Sequence, residues 1–180
     1  MVCTANQCRS PIAAALLRRT LAGTDVRVLD AGFGESGHPP TEQALEAADR
    51  IDLDLSAHAS TTIDPSTIAS ADLVLVMERR HVRDLVVLHA EAWPKTFTLK
   101  EVVRRGEQVG ARQRGQPLGD WLAEVHEGRT RTDLIGASAA DDVADPTTDR
   151  RVDHDGIAGE LLDLVDALSA LAWPTAIDGV

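Results

Sequence analysis

Between Ser10 and Trp173 the sequence switches repeatedly between two hydrophobic periods, and that alternation limits the fold more than any other feature. The run ADLVLVM, Ala71–Met77, is apolar at consecutive positions from Leu73 onward, which suits a strand buried on both faces of a parallel sheet. DVRVLDAG alternates apolar and polar residues from Val26 to Ala31 and stops at Gly32, the pattern of a second strand. A third, short strand is predicted near KTFTL, Lys95–Leu99. Amphipathic stretches separate these runs. SPIAAALLRR starts at Ser10, with Pro11 in a first turn that tolerates it and arginines at the far end; Gly23 ends the helix. TEQALEAADR follows, capped by Thr41, then RRHVRDLVVLHAEA from Arg79, DWLAEVHEG from Asp120 and IAGELLDLVDALSALAW from Ile157. Strand–helix alternation of this kind predicts an α/β fold, a doubly wound parallel sheet with helices on both faces.

At 180 residues and 43% hydrophobic, residues 1–180 are expected to form one domain around one core. Arg104 to Gly119 is polar and glycine-rich and is predicted to be a surface loop, so Arg104 to Ala140 as a whole reads as an irregular or inserted region. The net charge of -11 argues against nucleic acid as a partner, because binding phosphate backbones requires a basic surface. No apolar run reaches the roughly 18–20 residues of a membrane span, and the N-terminus lacks a charged-then-apolar leader pattern. A soluble, cytoplasmic protein without a membrane partner is expected. The two cysteines, Cys3 and Cys8, are too few for a disulfide scaffold and lack the second Cys/His pair of a zinc site, so any role they have is reactive.

Those cysteines sit in the opening stretch MVCTANQCRSP. Cys3 and Arg9 bracket a loop, Cys-x5-Arg-Ser, that runs straight into the helix near Pro11. A strand-to-helix turn of an α/β sheet lies at the carboxyl edge, where ligands bind. Backbone N–H groups of a tight loop added to a helix N-terminus form an anion cradle, and an arginine at its end can grip two phosphate oxygens as a fork. The same field lowers a cysteine pKa to about 3.5–7.5, which would make Cys3 a thiolate facing a bound oxyanion. Taken alone, Cys-x5-Arg also arises by chance, and Asp-Pro pairs such as Asp145-Pro146 are common turns.

The stretch CTANQCRSP, with its Asn, Ser and Pro in place, resembles the signature of the low-molecular-weight protein tyrosine phosphatase family. The likeness continues through DAG, LDLSAH, ADLVLVM and DVADP, and is weak over Arg104 to Ala140. It implies a flavodoxin-like four-stranded sheet and a phosphomonoesterase that hydrolyses phosphotyrosine, or a related phospho-residue, on proteins through a phosphocysteine intermediate. Cys3 would be the nucleophile. Arg9 would bind the equatorial oxygens, and Asp145 would protonate the leaving oxygen and then activate water. Thr4, Ala5, Asn6, Gln7, Cys8, Arg9 and Ser10 would cradle the phosphate. Ser10 would hydrogen-bond the Cys3 sulfur, and Asn6 suits a left-handed loop position. The resemblance implies no metal and no cofactor. It also implies a phosphoprotein substrate and a bacterial-type tyrosine kinase as the opposing partner.

Several positions keep two roles open. Cys8 is either a small packing residue or a guard that forms a disulfide with Cys3. His58 either supports Asn6 or is an ordinary surface histidine. Asp141, Asp142 and Asp149 share the loop of Asp145. Thr147 and Thr148 stand where the family often has an aromatic residue, leaving Phe33 as the candidate wall, and Asp30 replaces a supporting serine. An inward-pointing Asp30 would raise the Cys3 pKa. Met1 and Val2 are all that precede Cys3, so the first strand is expected to be cut short and its neighbours poorly paired. Gln7 leaves a guanidinium leaving group open, hence a protein arginine phosphatase variant. An arsenate reductase relay is disfavoured because no cysteine lies beyond Cys3 and Cys8. A non-catalytic phosphoprotein-binding module is the reading from another class.

Overall fold

In the computed structural model, which describes residues 1–149 and 151–174, four short strands form one all-parallel sheet. The strands are β1 (Val2–Cys3), β2 (Ala31–Gly32), β3 (Val74–Val76) and β4 (Thr96–Thr98), in the order β2-β1-β3-β4. The helices are α1 (Arg9–Thr20), α2 (Glu42–Asp49), α3 (Pro65–Ser70), α4 (Arg79–Leu88), α5 (Leu99–Val109), α6 (Leu118–His126) and α7 (His154–Ala172). Strand residues alternate between two apolar layers, as period-2 geometry requires. Cys3, Leu75, Met77 and Phe97 join the layer with Ile12 of α1, Val102 of α5, Trp121 of α6 and Leu161 of α7. Val2, Val74 and Val76 join Ile68 of α3 with Val82 and Leu85 of α4 on the opposite face.

The register puts the chemistry at one edge. Val2 lies opposite both Ala31 and Val76, so Cys3, Gly32 and the residues after Val76 leave the sheet side by side at its carboxyl edge. β1 is short, yet it pairs on both sides: Ala31 N–H donates to Met1 O at 2.9 Å and Met77 N–H to Val2 O at 3.2 Å. β2 is shorter than the Val26–Ala31 strand that alternation predicts, because β1 offers ladder partners only to Ala31 and Gly32.

The expectation of an irregular region over Arg104 to Ala140 is corrected by the continuation of α5 into it, while α6 falls on the DWLAEVHEG stretch expected to be helical. α5 runs through Arg104 to Val109, and α6 buries Trp121, Leu122 and Val125. Gly106 had the look of loop punctuation, but its role is close approach. A Cβ there would stand 3.0 Å from Trp121 Cζ2 and 3.1 Å from Leu171 Cδ1. Farther along, Arg129 is buried between the rings of Trp93 and Phe97, 4.1 Å and 4.0 Å from their centroids, and bonds Glu101 at 2.7 Å and 2.9 Å. A polar composition therefore conceals a packed core, since the polar groups are paired internally. Helix α3 went unforeseen although its signal is local: the Asp64 carboxylate caps the N–H groups of Ser66 and Thr67, and Pro65 opens the first turn.

Gly106→Val is expected to destabilise the protein by about 1–3 kcal/mol through overpacking against Trp121. Gly119→Ala, where an added Cβ meets nothing within 4 Å, should be neutral or stabilising by up to about 1 kcal/mol. Urea melts of the two variants check both; equal stability of Gly106→Val and the parent would refute the close-packing role.

Candidate active site

The loop from Thr4 to Cys8 turns the chain from β1 into α1 within a few residues, which requires unusual backbone. Asn6 adopts φ 55°, the left-handed conformation that asparagine tolerates. Gly32 is required because the loop lies directly on it: a Cβ there would sit 2.7 Å from Asn6 N. The Thr4 carbonyl accepts from Phe33 N–H at 2.8 Å and Gly34 N–H at 2.9 Å, bracing the loop from β2. Asn6 is fully buried and every polar group of its side chain is engaged. Its Nδ2 donates to Ser10 Oγ at 2.9 Å and Asp30 Oδ2 at 2.8 Å, and its Oδ1 accepts from Thr61 N–H at 2.8 Å. His58 Nε2 lies 2.8 Å from Asn6 O. By contrast, the backbone N–H groups of Thr4, Ala5, Asn6, Gln7 and Cys8 donate to no described atom. With the start of α1 behind them they make an anion cradle, and buried Cys3 lies at its base with Sγ 3.0 Å from Ser10 Oγ.

Arg9 is 2% exposed and bridges two carboxylates. Its Nη1 donates to Glu78 Oε1 at 2.6 Å and Val143 O at 2.9 Å, and its Nη2 donates to Asp145 Oδ2 at 2.7 Å. Half-burial alone would raise the Asp145 pKa, but the Arg9 charge and hydrogen bonds from Thr147 hold it below the usual carboxylate range. Glu78 behaves alike: desolvation opposes its charge, and Arg80 and Arg9 outweigh that and keep the carboxyl low.

The other aspartates of this loop have different work. Asp141 is gripped by Arg79 at 2.6 Å and 2.9 Å and by Arg104 at 2.8 Å. Asp142 accepts from the N–H groups of Arg79 at 2.7 Å and Ser138 at 2.8 Å, which ties the loop to the start of α4. Asp149 pairs with Arg151. Val143 N–H donates to Met77 O at 2.8 Å, so the loop is stitched to the chain leaving β3. Asp145 is the member of the set that reaches Arg9.

Asp30 does point inward, but its charge meets Arg18 as well as the Asn6 amide, so the anion is paired at the loop. Gln7 turns away: its amide donates to Pro39 O at 2.9 Å. Cys8 is buried, and desolvation followed by its proximity to Cys3 pushes its thiol up to about 12, so it stays protonated. Phe33 stacks on His81 with centroids 5.5 Å apart, and His81 Nε2 lies 3.1 Å from Thr4 Oγ1, so a flat aromatic surface stands beside the loop. Burial lowers the His81 pKa to about 4, leaving a neutral ring. Sequence reasoning overlooked Glu78, His81 and the Arg79–Asp141 clamp. Glu78 had a findable signal, because it follows ADLVLVM directly and therefore had to emerge at the carboxyl edge.

Residues 1–111 match the family described as low molecular weight phosphotyrosine protein phosphatase. The chain is 34% identical over 129 residues to the probable low molecular weight protein-tyrosine-phosphatase EpsP of Ralstonia solanacearum, covering 71% of this chain and 88% of that one. It is 35% identical over 136 residues to the protein-arginine-phosphatase of Geobacillus stearothermophilus, covering 74% and 90%. Among solved structures, it resembles YwlE arginine phosphatase from Geobacillus stearothermophilus with a TM-score of 0.69 at 26% identity, over 99% of this chain and 94% of that one. It also resembles the tyrosine phosphatase Wzb from Escherichia coli K30 in complex with sulphate, with a TM-score of 0.66 at 25% identity over 93% of each chain. With the signature loop, the parallel sheet and these likenesses in agreement, the chain belongs to the low molecular weight phosphotyrosine protein phosphatase family.

Proposed function

We propose that this chain is a protein phosphatase that hydrolyses phosphotyrosine on protein substrates through a phosphocysteine intermediate. The observation that carries the reading is the meeting of Arg9 with Asp145 at 2.7 Å beside the open N–H cradle above Cys3. In the first step the Cys3 thiolate attacks phosphorus in line, forming an S–P bond as the ester P–O bond breaks, and Asp145 gives its proton to the departing phenolate. In the second, Asp145 takes a proton from water, the water oxygen attacks phosphorus, and the S–P bond breaks to release inorganic phosphate. Ser10 stabilises the thiolate as nucleophile and as leaving group. Cys8, protonated, does not compete; its proposed role is to condense with a Cys3 sulfenic acid, giving a disulfide and water.

A general acid must hold its proton, and Asp145 in the free protein is biased against doing so. Substrate binding reverses that bias. When phosphate oxygens draw the Arg9 fork, Asp145 loses a cation and gains a dianion as neighbour, and both changes raise its pKa. Glu78 keeps the other edge of Arg9 fixed during the exchange.

The Phe33–His81 stack favours an aryl phosphate, since it offers a ring surface at the mouth. Phosphoarginine is the second reading, favoured by Thr147 beside Asp145 in place of a ring and by relatives named as arginine phosphatases. The setting we propose is the cytoplasm, opposite a bacterial-type tyrosine kinase. Described helices include none long and apolar enough to cross a membrane.

Phosphotyrosyl and phosphoarginyl peptides should both be offered to the purified protein with excess chelator present. Turnover of the former is expected, and Cys3→Ser should abolish it while retaining oxyanion binding; a Cys3→Ser protein that keeps its rate would sink the mechanism. Asp145→Asn should slow aryl esters with poor leaving groups by about 10²–10⁴-fold and those with good leaving groups far less. Uniform slowing across the series would remove Asp145 as proton donor. Carboxyl NMR of the parent should find Asp145 titrating below its ordinary 3.8 when free and moving up in saturating phosphate. An unchanged titration would refute the Arg9 exchange.

A further inference from the structure

A second guanidinium stands at the mouth of the cradle, and neither step of the reaction uses it. Arg80, the second residue of α4, has a side chain 45% exposed, against 2% for Arg9. It is nonetheless held in place. Its Nη2 donates to Glu78 Oε1 at 2.9 Å and to Thr4 Oγ1 at 3.0 Å, and its Nε lies 2.8 Å from Glu78 Oε2. The bidentate contact fixes the plane of the fork, which a free surface arginine lacks. Its remaining nitrogen, Nη1, has no partner among the described residues. Arg9 also reaches Thr4 Oγ1, at 3.4 Å, so the two guanidinium groups flank a single hydroxyl of the phosphate loop. One carboxylate, Glu78, is shared between them.

Charge makes this placement informative. The chain carries a net charge of -11, so an acidic partner is repelled at long range unless a fixed cation waits where it docks. Substrate bound in the cradle leaves its flanking residues at the mouth, beside Arg80. We propose that Arg80 is a specificity-determining residue, which selects phosphoproteins carrying a carboxylate side chain next to the phosphorylated residue. The inference rests on the phosphatase reading and names the substrate class within it. The flanking carboxylate accepts from Nη1 while Glu78 continues to hold Nε and Nη2, so no existing bond has to break.

The test compares two phosphotyrosyl peptides of equal length, one with glutamates on both sides of the phosphotyrosine and one with glutamines. For the parent protein kcat/KM should favour the acidic peptide by about fivefold at low salt, and the preference should fade as salt rises. Arg80→Gln lowers the rate on both peptides through its hold on Glu78, so the ratio is the readout; it should collapse to about one. Arg80→Glu should invert the preference toward lysine-flanked peptides. Equal turnover of both peptides by the parent, or an unchanged ratio in Arg80→Gln, overturns the inference and leaves the phosphatase reading standing. If neither peptide is hydrolysed, the phosphotyrosine reading fails; binding of the two peptides to the Cys3→Ser protein then decides the role of Arg80, equal affinity overturning it and an acidic preference that Arg80→Gln erases supporting it.

Discussion

A row of backbone N–H groups can stay unpaired in a folded protein only if the rest of the loop that carries them is over-determined. Everything around Thr4–Cys8 follows from that constraint. The Asn6 side chain is bonded at both ends, the Thr4 carbonyl takes two donors from the chain after β2, and Gly32 lets the loop rest on the sheet without a side chain between them. The donors are free because nothing else is. Donors held in this way would meet an anion without reorganisation when charge shifts during reaction, as the proposed mechanism requires.

Charge balance is the second theme. Arg9 is buried and would be intolerable without a counter-ion, yet a counter-ion that never let go would exclude substrate. Two carboxylates with different anchorage resolve this. Glu78 is held by two guanidinium groups, Arg9 and Arg80, whereas Asp145 pairs with Arg9 and otherwise accepts from the backbone N–H and hydroxyl of Thr147. The carboxylate with the single cationic partner is the one to which the proposed mechanism gives the proton transfer.

How far the sequence could be read differs between its parts, for physical reasons. The doubly wound sheet was legible because a buried parallel strand such as Leu73–Met77 and the helix after Pro11 leave period signals that no loop imitates. The loop residues were legible because they are contiguous. The weakness lay where residues act across the chain: Glu78 and Arg9 are far apart in sequence, as are Arg79 and Asp141, and no local pattern announces either pair. Arg104 to Ala140 misled for a related reason. Its arginines and glycines have loop-like composition, but Arg129 is paired inside with Glu101 and Gly106 is a contact point for Trp121. Asp30 shows how a charge can sit at the loop: its carboxylate accepts from the Asn6 amide while Arg18 beside it balances the charge.

The double grip of Arg79 and Arg104 on Asp141 has a kinetic consequence. In enzymes whose proton donor rides on a hinged lid, each turnover waits for closure and reopening, and the frequency of that motion can cap the rate. Here the segment leading to Asp145 is bolted to α4 and α5 and stitched to the strand edge through Val143. In the proposed cycle it is a side chain that moves, the Arg9 fork exchanging Asp145 for phosphate, and side-chain motion is faster than loop motion by orders of magnitude. On the proposed mechanism, the ceiling on turnover would then be set by bond making and by departure of the product rather than by the opening of a gate.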